Sequence, residues 1–261
     1  AHPVRSGVDR PGVDRSGDRQ PAAEPGSPGG IDLAIDQTAS LARDLLAQLA
    51  GSPDAYPQKL DLAREAVLLV RFDDAAYRAA SFLDDRILGP TTQGAWLPVA
   101  GVDEASRRVA DGRPVHFIFH TGHVGSTLVS RLLDETGDVL PLREPLPLRT
   151  LADAHDALGR IDSLVSGAQF TRALGTFMRL WSRGYGPTRC VVVKATSSAG
   201  RLAAPILAGS EGSPAIYMNL RPEPYLATLL AGQNSPLDLR GHGPERMRRL
   251  QSRLGTALAP F

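Results

Sequence analysis

A chain of 261 residues, 42% of them hydrophobic, has room for one large α/β domain or a smaller domain with an appendage. Its formal charge is +1, from 29 basic and 28 acidic residues, which excludes the strong field that draws proteins to nucleic acid or to anionic membranes. No apolar run reaches membrane-spanning length, the N-terminus lacks the apolar core of a signal peptide, and the single Cys190 makes neither an internal disulfide nor a metal cluster. These features point to a reducing cytoplasm, with no membrane and no nucleic-acid partner.

Residues 1–30 carry an imperfect Val-Asp-Arg repeat and then a Pro/Gly/Ser tract. They have almost nothing to bury and read as a disordered tail. Residues 31–110 read as a helical extension. Leu41, Leu45, Leu46 and Leu49 share one helical face before Gly51-Ser-Pro53. A second helix is expected from Lys59 to Val70 and a third from Asp73 to Leu88, with Asp73 or Asp74 as its cap. Pro90 to Gly101, with Trp96, reads as a loop, and Glu104 to Ala110 as a short helix.

From 111 to 261 strand and helix alternate. Val115, Phe117, Ile118 and Phe119 form an apolar strand, followed by the turn His120-Thr-Gly-His-Val-Gly125 and a helix opening on Ser126-Thr127. Leu128, Leu132 and Leu133 are expected to lay that helix on the sheet. His116 reads as a satisfied core residue, and Trp181 and Met178 as core. Asp138 to Leu142 is a short strand whose proline suggests an edge. Helices are expected over 148–158 and 168–181, a strand over Arg189–Lys194, then a helix to about Ala208. A strand over Ala215–Leu220 precedes a helix through Leu230, and an arginine-rich helix runs from Pro244 to Leu258. A start without methionine and a stop at Leu258-Ala-Pro-Phe261 lead us to expect a fragment.

This alternation predicts a three-layer α/β domain of P-loop type, a parallel sheet with helices on both faces. Ligands of such sheets bind at the carboxyl ends of the strands. His120, His123, Glu144, Lys194, Thr196 and Arg221 all fall at that edge. Gly122 and Gly125 permit a turn whose backbone N–H groups converge at a helix N-terminus, where an anion is the expected occupant. Only Lys59 and Lys194 are lysine, so a lysine ending an apolar strand stands out.

A nucleoside-triphosphatase loop needs lysine after its last glycine, and a strand-end carboxylate for magnesium. Here Ser126 follows Gly125, and the two clearest later strands end in Lys194 and Arg221. The pattern resembles the sulfotransferases that use 3′-phosphoadenylyl sulfate (PAPS). Val124-Gly-Ser-Thr-Leu128 is similar to the later part of their phosphosulfate loop, with His123 where the family has lysine or arginine. Met218-Asn-Leu-Arg-Pro222 resembles the family's 3′-phosphate segment, which implies Arg221 as a contact. Leu229, beside Thr228, stands where the family has a serine. His120-Thr121, Ser126-Thr127-Leu128, Arg143-Glu144-Pro145 and Lys194-Ala195-Thr196 resemble the ordered motifs of bacterial sulfotransferase-like proteins. The resemblance covers residues 115 to about 232.

It implies PAPS as cofactor, held by Gly122, His123, Val124, Gly125, Ser126, Thr127, Lys194, Thr196 and Arg221, and a small-molecule, glycan or peptide acceptor. Sulfuryl transfer needs a base, in-line placement and positive charge on the departing phosphate. Glu144 is the candidate base, or else a surface partner of Arg143. Lys194 would steady the leaving group, and a protonated His123 could donate to the bridging oxygen. His120 and His123 lack a third metal ligand of evident spacing, so no metal is expected. A magnesium-dependent nucleotide kinase or hydrolase, and a non-catalytic nucleotide-binding module on the same fold, are the alternatives.

Overall fold

The fold rests on two sheets that share one core. The computed structural model describes residues 28–209, 214–232 and 235–257. The tail expected over 1–30 therefore lies outside the described residues, except for its last three, which open α1, Pro28–Gln48.

The next segment departs from the helical extension expected of it. β1, Ala55–Asp61, and β2, Ala66–Arg71, form an antiparallel hairpin where a helix was expected over Lys59–Val70. The Asp61 carboxylate accepts from the Arg64 N–H at 3.0 Å, and Glu65 takes a left-handed φ of 48°, which turns the chain back. Val67, Leu69 and Val70 are buried along β2, so tertiary pairing overrides the helix propensity of Leu62-Ala-Arg-Glu65. α2 spans only Asp74–Ala79, capped by the Asp73 carboxylate as expected. Its last carbonyls are taken by arginines from elsewhere: Arg143 binds Arg78 O and Ala80 O, and Arg131 binds Arg78 O and Ala79 O. A 3-10 turn over Asp85–Ile87 is all that forms of the rest of that helix. β3, Gly94–Pro98, pairs with β2 and includes Trp96, so the expected loop is a strand. α3, Val99–Ser106, begins earlier and ends earlier than the helix expected there.

β4, Val115–His120, and α4, Ser126–Asp134, flank the glycine turn. Then follow β5, Val139–Arg143; α5, Leu146–Ala157; α6, Gly167–Trp181; and β6, Cys190–Lys194. A 3-10 segment over Ser197–Leu202 leads into α7, Ala203–Ala208, then β7, Ala215–Met218, α8, Pro222–Ala231, and α9, Ser235–Leu254. Pro244 lies inside α9 instead of opening it.

β4 to β7 make a four-stranded parallel sheet flanked by helices, in the order β5-β6-β4-β7. β5 is an edge strand, as its proline suggested. Phe117 and Phe119 stack on one face, 5.5 Å apart, within a core that runs from Leu45 to Ile206 and includes Trp181. Ile118, Val139 and Val192 form a smaller cluster on the other face, covered by Val129 and Leu133 of α4. The chain thus leaves β4 on one face and β6 on the other. Such a reversal opens a crevice at the carboxyl ends of two adjacent strands, here β4 and β6.

Of the apolar face expected for α4, Leu133 packs on the sheet beside Val129, whereas the other two leucines turn outward. Leu128 and Leu132 are 64% and 61% exposed, while Ser126, Ser130 and Asp134 are buried. The reason is Arg143, fully buried, whose guanidinium donates to Ser130 Oγ at 3.2 Å and to Asp134 Oδ2 at 2.6 Å. A buried cation needs polar partners, and the inward stripe of α4 supplies them.

Candidate functional site at the β4–β6 crevice

The turn after β4 is built from left-handed residues. Gly122 has φ 94°, His123 φ 54° and Gly125 φ 80°. Glycine adopts such angles freely, whereas His123 does so at a conformational cost. Gly125 is the N-cap of α4 and no side chain caps the helix. Its first-turn N–H groups thus lack a side-chain acceptor at the positive end of the helix dipole.

Glu144 is, after Glu65 and His123, a third non-glycine residue in the left-handed region, at φ 57°, directly after β5. Its N–H donates to Lys194 O at 2.7 Å, and its carboxylate forms an ion pair with the Lys194 ammonium. The Lys194 side chain is 1% exposed, that of Glu144 19%. The expected alternative, a Glu144–Arg143 surface pair, does not form, because successive strand positions point apart and Arg143 turns inward to Asp134. Lys59, the other lysine, lies at the surface and pairs with Asp85.

His120, at the end of β4, is the residue whose part the sequence left unassigned. It is 5% exposed. Its Nδ1 accepts from the Gly122 N–H at 3.0 Å, which sets the neutral tautomer with the proton on Nε2. Nε2 lies 3.9 Å from Glu144 Oε1, beyond hydrogen-bond reach, and is buried without a partner. Thr121 Oγ1 and Ser198 Oγ are also buried and unpartnered. Buried polar atoms in native proteins are almost always bonded, so the neighbouring orphans of His120 and Thr121 at the start of the turn mark a place for a ligand. His116, expected to be satisfied, instead has an orphaned Nδ1.

Burial first, then the Lys194 ammonium, pushes the His120 imidazole below its ordinary range, against an upward pull from Glu144. With the folded value depressed, the unfolded chain binds the proton better, so stability rises with pH. It is complete above the unfolded value of about 6.5 and falls as the pH drops below it. His120→Asn keeps an acceptor for the Gly122 N–H but cannot titrate here. We expect urea unfolding between pH 7.5 and 5.5 to show a shallower loss in the variant, by at most about 1.4 kcal/mol per pH unit. Equal slopes would remove the depressed imidazole from this account.

The remaining expected residues divide into two groups. Gly122, Val124, Ser126 and Thr127 stay with the turn, and Ser197 Cβ lies 3.6 Å from where a Cβ on Gly122 would stand. Arg221 follows β7 beside the turn: Thr121 N–H donates to Met218 O at 3.2 Å and Tyr225 donates to Thr121 O at 2.9 Å. The Arg221 side chain is exposed. Thr228 donates to Pro224 O at 2.8 Å within α8. Thr196 instead lines a cavity beyond the crevice, between α5 and α9. One neighbour was illegible in sequence: the Phe82 ring lies 5.3 Å from Lys194 Nζ and under the Arg86 guanidinium at 3.7 Å.

Among the described residues no group of three or more His, Cys, Asp or Glu could hold a metal ion, and no helix is long and apolar enough to cross a membrane. Comparison of the chain with protein-family models, with curated proteins and with solved structures gave no match.

Proposed function

We propose that this protein is a P-loop-type sulfotransferase that moves a sulfuryl group from PAPS to a hydroxyl or amine. The observation that carries the reading is the ion pair of buried Lys194 with Glu144 beside the uncapped glycine turn. A carboxylate and a cation at an anion cradle are the two groups that such a transfer requires. The sheet order, with the loop strand flanked by β6 and β7, is compatible with a P-loop fold.

In this mechanism the turn and the first N–H groups of α4 hold the phosphosulfate, and Arg221 receives the 3′-phosphate. The acceptor oxygen attacks sulfur as Glu144 takes its proton. The sulfur–oxygen bond to phosphate breaks, and adenosine 3′,5′-bisphosphate leaves with its new charge facing Lys194. Lys194 would exchange Glu144 for the departing oxygen, which frees the carboxylate to act as base. His120, held in its tautomer by Gly122, offers the Nε2 proton within the same crevice. His123, exposed at the turn, stands where it could donate to the bridging oxygen.

The test is calorimetric titration with adenosine 3′,5′-bisphosphate against ATP with magnesium. The expected result is micromolar bisphosphate affinity that falls at least tenfold in Lys194→Ala and in Arg221→Ala. Tight, magnesium-dependent ATP binding would instead select a kinase or hydrolase, and binding of neither nucleotide a non-catalytic module.

A further inference from the structure

A cavity of about 460 Å³ adjoins the crevice on the β6 side. One wall is Thr196, Ser197 and Ser198, the turn that follows Lys194 and touches the Gly122 position. α5 and α9 supply the others. Five arginines line it against three carboxylates. All three carboxylates are engaged: Asp153 and Asp156 with Arg201 and Arg249, Glu245 with Arg248 and Arg249. Arg149, exposed on α5, is described with neither hydrogen bond nor ion pair, and Ser198 Oγ is a buried, unpartnered hydroxyl in the same wall. Arg160 is paired with Asp162, so Arg149 is a cation of this lining left without a carboxylate, and the Ser198 hydroxyl belongs to the same cavity.

Position assigns this space a part in the reaction, on the reading proposed above. Arg221 follows β7 on one side of the loop strand, and the cavity wall follows β6 on the other. In-line transfer sets the leaving and attacking oxygens on opposite sides of sulfur. If the nucleoside half of the donor extends toward Arg221, the acceptor must enter from the β6 side, where this cavity opens.

We infer that the acceptor is a hydroxyl-bearing organic anion, a phosphate ester or a carboxylate, whose charge is held by Arg149 in the α5–α9 cavity. A guanidinium binds either anion in a bidentate fork, and Ser198 adds a donor.

The test is calorimetry on the full chain with glucose 6-phosphate, glucuronate and glucose, three probes that share most of their hydroxyls. At least one anion is expected to bind ten times more tightly than glucose, and to lose that advantage in Arg149→Ala while keeping it in Arg221→Ala. Which anion binds identifies the source of the charge. Anions no better than glucose, or an advantage untouched by Arg149→Ala, would overturn the inference. Bisphosphate titration of the same Arg149→Ala protein separates the two ideas. Bisphosphate binding without anion binding sinks the acceptor site alone. Anion binding through Arg149 without any bisphosphate binding sinks the transfer reading and leaves an anion site.

Discussion

Arg143→Met is expected to lower the unfolding free energy by about 3–5 kcal/mol, the usual loss when one partner leaves a buried ion pair. The arginine is 0% exposed. Its guanidinium serves Ser130, Asp134 and the carbonyls of Tyr77, Arg78 and Ala80. Truncation leaves Asp134, 9% exposed, with Arg78 as its remaining ionic partner at 2.5 Å. It also removes a donor from Tyr77 O and Ala80 O, while Arg78 O keeps Arg131, and a buried acceptor left unbonded costs about 1–3 kcal/mol. Lysine would not rescue, because one ammonium with three donors cannot reproduce the planar fork. Removing both charges, as Arg143→Met with Asp134→Leu, should recover much of the loss. Urea unfolding followed by circular dichroism measures this directly. A loss below about 1 kcal/mol in Arg143→Met would show that the inward stripe of α4 does not depend on this cation.

The second large effect belongs to the proposed chemistry. Glu144→Gln should reduce sulfuryl transfer from PAPS by about 10²–10⁴-fold, the range for removal of a general base. Glutamine keeps the side-chain length and offers its amide oxygen to Lys194, so bisphosphate affinity should stay within about threefold of the parent. That split between turnover and binding is what identifies a base. If affinity collapses together with turnover, the carboxylate acts by holding Lys194 and does not take the proton. The backbone adds a reason to look here, since Glu144 and His123 are both held at positive φ next to the crevice. Such strain persists only where surrounding structure over-determines it, and it gathers at functional sites.

The strand, glycine turn and helix over 115–134 were legible because their signals are local. A short apolar run, two glycines and two hydroxyl residues act within a few positions of one another. The same holds for β6, with its run of valines, and for α6, whose Ser166–Gln169 capping box closes on itself. The hairpin over 55–71 was not legible. Its residues have helix-forming propensity, and their strand state depends on pairing of β2 with β3, some thirty positions further on.

By itself, then, the sequence determined the order of the parallel strands along the chain and the edge at which His120, Glu144, Lys194 and Arg221 would gather. Side-chain period and turn chemistry are sufficient for that. Only the tertiary structure decided the partners. It gave Glu144 to Lys194 and Arg143 to Asp134, turned the polar stripe of α4 inward, and brought Phe82 over the lysine. Each of those outcomes depends on buried charge finding compensation from distant segments, and local sequence carries no record of which segment will arrive.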